Sequence, residues 1–134
     1  HSAMVAWQGH KMSKSRGNLV FVSALRHAGV DPNAIRLALL AHHYRSDWAW
    51  TEHGLEGATK RLALWRMAAA APGGTDVAPV LHRVRAALAQ DLRTPEALDA
   101  MDDWAMANAG AVDGDPEAPA LFAAVADALL GVKL

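Results

Sequence analysis

The chain has 134 residues, 52% of them hydrophobic and 20% charged, with 13 Lys+Arg against 14 Asp+Glu and no cysteine. That balance excludes a polycationic tail, a disordered low-complexity linker, a disulfide scaffold and any thiolate metal site built from these residues alone. One core is expected for a domain of this size, and the absence of both a leader-like N-terminus and an apolar run of about 18 residues points to a soluble, cytoplasmic protein outside the membrane.

Residues 1–7 alternate partly and stop at Gln8-Gly9-His10, which predicts one strand running into a loop. Residues 11–18 are polar and contain Gly17, hence a loop. Leu19-Val20-Phe21-Val22 is apolar and is followed by Ser23, a capping residue type; a short helix over 23–27 stopped by Gly29 and a core-facing loop both fit it. Asp31-Pro32 is a helix start, and Ile35, Leu39 and Leu40 recur at helical spacing to about Tyr44.

Further helices are predicted over 52–71 with Leu55, Leu62 and Trp65 inward, and over 78–90 with Val80, Leu81, Val84 and Leu88 inward. Thr94-Pro95-Glu96 opens a fifth to about Ala109, burying Leu98, Met101 and Met106. Asp115-Pro116-Glu117 opens a sixth that carries Leu121, Phe122, Val125 and Leu129 to a stop at Gly131. The result is mainly α, a helical bundle preceded by a single strand. That strand lacks a partner in the sequence, which implies a sheet upstream, and the chain is expected to be the C-terminal piece of a longer protein.

Charge divides the chain at Pro72, beside the turn Pro72-Gly73-Gly74. Residues 1–72 carry a net +5 and residues 73–134 a net −6. A phosphate-bearing ligand belongs with the first part, and the second repels nucleic acid.

The candidate chemistry lies in Lys11-Met12-Ser13-Lys14-Ser15, followed by Arg16-Gly17-Asn18. Two ammonium groups three residues apart on a Ser- and Gly-containing loop are suited to closing on a triphosphate as point charges, neutralising charge that builds on departing pyrophosphate. The Ser hydroxyls add donors and Gly17 a hinge. For an arbitrary pair of lysines a solvated basic loop is the ordinary reading, but this pentapeptide arises by chance in a chain of this length with odds of only about one in ten thousand.

At these residues the chain resembles the class I aminoacyl-tRNA synthetases, whose second ATP-binding motif is KMSKS, and most closely their cysteinyl branch. Residues 1–5, 11–18, Asp31-Pro32 with Ile35-Arg36, His43-Tyr44-Arg45-Ser46 and Thr94-Pro95-Glu96-Ala97-Leu98 fall in that branch's order and spacing. The resemblance implies that Lys11 and Lys14 are catalytic phosphate ligands, that Ser13 and Ser15 donate from the loop, and that Met4 and Val5 contact adenosine. It implies three regions: 1–22 as the C-terminal edge of a catalytic nucleotide-binding domain with its last strand and KMSKS loop, 23–72 as a helical stem or junction, and 73–134 as an acidic bundle. ATP with magnesium and cysteine are the implied substrates. The HIGH motif and the cysteine-selecting zinc are expected in an N-terminal catalytic half outside these residues, with no metal bound by this chain.

Two kinds of enzyme share the pattern, cysteinyl-tRNA synthetases and ligases that join cysteine to the amine of glucosaminyl-inositol in mycothiol biosynthesis. The run KMSKSRGNLVFVS, an end at Leu134 without a basic extension, and the net −6 of residues 73–134 favour the ligase branch, for which no nucleic acid partner is expected. A truncated synthetase and a non-catalytic helical interaction module are the alternatives.

Other residues suit structural roles better. His42 and His43 point about 100° apart on a helix and do not form a ligand pair; His43-Tyr44-Arg45 reads as a junction. His1 and His10 flank the candidate site and suit packing or loop roles. Trp48, Trp50 and Trp65 fit core area better than base stacking, and Asp91, Asp99, Asp102 and Asp103 fit solvated helix faces better than paired catalytic carboxylates.

Overall fold

The structure, a computed structural model, describes all 134 residues. It begins with a small sheet: β1 (Val5–Trp7), β2 (His10–Lys11) and, 40 residues later, β3 (Trp48–Ala49), in the order β2-β1-β3. β1 and β2 form an antiparallel hairpin with Trp7 opposite His10. Its two-residue turn places Gln8 at φ 53° and Gly9 at φ 79°, the left-handed pair that matches the twist of adjoining strands. β1 pairs in parallel with β3, Val5 beside Trp48 and Ala6 beside Ala49. The first strand is therefore not an orphan, and Lys11 sits at a strand end rather than within a loop. Gln-Gly is a weak hairpin signal and a two-residue parallel partner leaves no local pattern, so neither was legible.

Six helices follow: α1 (Val22–His27), α2 (Pro32–Leu40), α3 (Glu52–Ala69), α4 (Ala78–Ala89), α5 (Thr94–Asn108) and α6 (Ala118–Leu130). Mainly helical architecture is as expected, with local differences. α1 begins at Val22 without a side-chain cap, so Ser23 lies inside it. Asp31 does cap α2, its carboxylate accepting the Asn33 N–H at 2.8 Å. α2 stops at Leu40 instead of near Tyr44, because residues 43–47 turn to meet β1 and the α4–α5 connection.

A continuous core runs through α2 to α6. Trp65 and Phe122 are fully buried, Trp104 stacks on Phe122 at 4.5 Å, and Trp65 meets the same ring edge-on at 6.1 Å. Ala34, Ile35, Leu37 and Ala38 form the inner face of α2, while Leu39 is 49% exposed. Met106 and Leu121, expected inward, are exposed; Trp104, Ala105, Val125 and Ala126 take the buried positions on their helices. Trp50 and Trp65 are buried, as core residues should be. The tail returns to this core: Val132 is fully buried, Lys133 N–H donates to Asn33 Oδ1 at 2.9 Å, and Arg36 donates to the Leu130 carbonyl.

Asp102 departs from its expected solvated role. Arg61 clasps it with hydrogen bonds of 2.8 to 3.1 Å, and the indole N–H of Trp65 donates to it at 2.8 Å. Removing the carboxylate strands a largely covered guanidinium and a buried indole N–H. Asp102→Ala is expected to lower unfolding free energy by about 2–4 kcal/mol, read as a lower urea midpoint at unchanged slope.

Candidate functional site

The Lys11 to Asn18 segment stands at the open end of the β1–β2 hairpin. Met12 N–H donates to the Val5 carbonyl at 3.0 Å, and the Met12 side chain turns into an apolar recess shared with Val5, Val20, Trp48 and Trp50. Beyond this anchor the chain makes a tight excursion: Gly17 N–H donates to the Lys14 carbonyl at 3.2 Å, and Gly17 takes φ 67° with open space where a Cβ would project. Lys14, Ser15 and Arg16 are exposed, as is Lys11. All five ion pairs of the chain lie elsewhere, so the two ammonium groups are uncommitted.

The serines are engaged within the loop. Ser13 Oγ accepts the Arg16 N–H at 3.3 Å and lies 3.3 Å from Ser15 Oγ. The Asn18 side chain, at the end of the motif, binds both limbs of the loop, accepting from Ser13 N–H at 3.0 Å and donating to the Lys11 carbonyl at 3.1 Å. Hydrogen bonds within a short irregular loop leave no periodic pattern, so the sequence does not single this residue out.

Met4 and Val5 occupy different situations. The Met4 backbone is fully used, its N–H donating to Asp47 Oδ1 at 2.8 Å and its carbonyl accepting from Trp48 N–H at 3.2 Å. Its thioether side chain is 48% exposed and is what it can present to a ligand. Val5 instead lines the apolar recess. Val5 opens β1 and Met4 immediately precedes it, so both lie just upstream of the hairpin that leads to the lysines. No three His, Asp or Glu side chains converge.

Residues 43–47 tie this hairpin to the helices. Tyr44 carbonyl accepts the Ala3 N–H at 2.7 Å, and the Tyr44 hydroxyl donates to Asp91 Oδ1 at 2.6 Å. Arg45 pairs with the same carboxylate, and His43 Nε2 meets the Asp91 carbonyl at 2.8 Å. The turn bearing Asp91 and Leu92 holds both at positive φ, 57° and 53°, a strained conformation that these contacts keep in place. His43-Tyr44-Arg45 is thus a junction, while the His42 ring stacks on Trp48 at 4.1 Å. Burial pushes the His42 imidazole below its ordinary value.

Residues 1–60 match the family of tRNA synthetases class I (C) catalytic domain. Over its whole length the chain is 59% identical to a protein of Thermobifida fusca named L-cysteine:1D-myo-inositol 2-amino-2-deoxy-alpha-D-glucopyranoside ligase, covering 32% of that protein. It is 60% identical to the ligase of the same name from Gordonia bronchialis, again covering 32%, and 58% identical to that from Thermomonospora curvata, covering 33%. The chain therefore spans about a third of the length of these relatives.

The junction makes a pH prediction. The Tyr44 hydroxyl and then Arg45 hold the Asp91 carboxyl below the usual range, so its contribution to stability is present above the ordinary aspartate value and fades as pH falls through the lowered one. In Tyr44→Phe the Asp91 titration, followed by carboxyl NMR, is expected to move up toward the ordinary value. Stability at neutral pH drops, and the gap from the parent closes in acid.

Proposed function

We propose that this chain, a homologue of the C-terminal part of these ligases, supplies the triphosphate-binding loop and helical support of an ATP-dependent, AMP-forming cysteine ligase whose acceptor is the amine of glucosaminyl-inositol. The observation that carries the reading is the pair of exposed, unpaired ammonium groups, Lys11 and Lys14, on a loop whose backbone is already fixed. The cysteine carboxylate attacks the α-phosphorus of ATP, and the bond to the bridging oxygen breaks. Charge that accumulates on departing pyrophosphate meets Lys11 and Lys14. The acceptor amine then attacks the adenylate carbonyl, the bond from the acyl carbon to the AMP oxygen breaks with its electron pair leaving on AMP, and the nitrogen gives up a proton to solvent as the amide forms.

These residues perform one part of that sequence. Ammonium groups on an exposed, strand-anchored loop attract and align phosphate oxygens, and their effect is larger when negative charge concentrates there in the transition state. Magnesium brought in with ATP would supply additional shielding of phosphate charge. Activation of cysteine is read as requiring a catalytic domain joined to this chain, so the 134 residues alone are expected to give no cysteine-dependent pyrophosphate–ATP exchange.

The match of residues 1–60 to a synthetase catalytic domain supports a second acceptor, tRNA. Charge weighs against it. The net −6 of residues 73–134 offers few cations to displace phosphate counterions. In the complete enzyme, little tRNA retention across a salt series is expected, together with AMP release that depends on cysteine and glucosaminyl-inositol. Tight, salt-sensitive tRNA retention without sugar-dependent AMP release would assign the chain to a synthetase.

Lys14→Ala in that enzyme is expected to slow adenylate formation by about thirtyfold to a thousandfold, a loss of about 2–4 kcal/mol, while cysteine affinity changes little. Single-turnover quench measurements check it; an unchanged rate would contradict a role for the loop in the chemistry.

A further inference from the structure

Among the ties that hold the loop bearing Lys11 and Lys14, those made by the residue at its far end span the most of it. Asn18 follows Gly17, whose φ of 67° turns the chain back on itself. From there the Asn18 amide reaches three backbone groups: its Oδ1 accepts the Ser13 N–H at 3.0 Å, and its Nδ2 donates to the Lys11 carbonyl at 3.1 Å and the His10 carbonyl at 3.4 Å. One side chain thereby joins the strand that delivers Lys11, the turn that leads to Lys14, and the exit of the loop. Met12 pins the same stretch from below through its packing in the apolar recess.

We propose that Asn18 is the positioning residue of this loop: its amide sets the separation and direction at which Lys11 and Lys14 meet a triphosphate. The inference rests on the phosphate-binding reading of the loop. The chemistry of the site selects the residue type. Asparagine combines an acceptor with two N–H donors and no charge, whereas aspartate keeps the acceptor, loses both donors and sets a carboxylate against two carbonyl oxygens. A frame built before ATP arrives spares the ordering cost on binding and holds the charges where pyrophosphate develops.

Position and charge separate in their effects. Without the Asn18 amide both ammonium groups remain, so attraction for ATP persists, but their placement in the transition state is lost. In the complete enzyme Asn18→Ala is expected to lower the maximal rate of cysteine-dependent pyrophosphate–ATP exchange by about tenfold to a hundredfold, while KM for ATP moves by less than about threefold. Asn18→Asp should retain protection of the Ser13 N–H from solvent exchange and still lose rate, because the ties to Lys11 and His10 are gone. Asn18→Ala should lose both.

The test measures exchange kinetics and thermal midpoint for the parent, Asn18→Ala, Asn18→Asp and Lys14→Ala, with amide hydrogen exchange at Ser13. A slower maximal rate in both Asn18 variants, at a thermal midpoint close to the parent's, with Ser13 protection lost only in Asn18→Ala, supports the assignment. Full rate in Asn18→Ala alongside a slowed Lys14→Ala overturns the positioning role and leaves the phosphate reading standing. A fall in thermal midpoint with parallel losses toward ATP and cysteine overturns it as well, by showing a general structural role. A Lys14→Ala enzyme with full rate overturns the phosphate reading and this inference with it.

Discussion

Hydrogen bonding along both edges of β1 is the constraint on which the site depends. A lone three-residue strand has no independent stability. Here it lies between β2 and β3, and its neighbours Ala3 and Met4 are held by Tyr44 and Asp47. The loop that bears Lys11 and Lys14 inherits its position from this arrangement, since Lys11 ends β2 and Met12 bonds directly to Val5. Because β3 follows α2 and precedes α3, the hairpin is fixed to the helical core through chain connectivity as well as hydrogen bonds.

The division between charge and frame explains the distribution of polar contacts. Arginines and aspartates pair with one another to build the scaffold: Arg61 with Asp102, Arg66 with Asp31, Arg83 with Asp103, Arg45 with Asp91. The lysines of the loop have no such partner. A loop whose charges were neutralised internally would have to break those pairs before meeting phosphate, and one without an internal frame would have to order itself on binding. This loop ties Ser13, Arg16, Gly17 and the Lys11 carbonyl through internal hydrogen bonds and leaves its lysines without a carboxylate partner.

Helices were legible because their signals are local. Asp31-Pro32 caps α2, Thr94-Pro95 opens α5, and Gly131 ends α6 in the left-handed conformation. Long-range features were not. The pairing of Val5 with Trp48, the clasp on Asp102 and the contact of Tyr44 with Asp91 join residues 37 to 47 positions apart, and no periodicity records them. Met106 and Leu121 show a related effect: the buried faces of α5 and α6 mix large Trp104 and Phe122 with small Ala105 and Ala126, so side-chain bulk alone does not mark the inside of these helices. At the site, the lysines stood out through their motif, while Asn18 needed coordinates.

The four lysines of the chain, Lys11, Lys14, Lys60 and Lys133, provide an internal comparison for the central claim that the loop binds the phosphates of ATP. Amine-labelling of the complete enzyme, quantified at each lysine by mass spectrometry with and without magnesium-ATP and with adenosine as a control, tests it directly. Protection of Lys11 and Lys14 by ATP, with Lys60 and Lys133 unchanged and adenosine ineffective, is the predicted result. Equal labelling of all four lysines with saturating ATP would contradict the account.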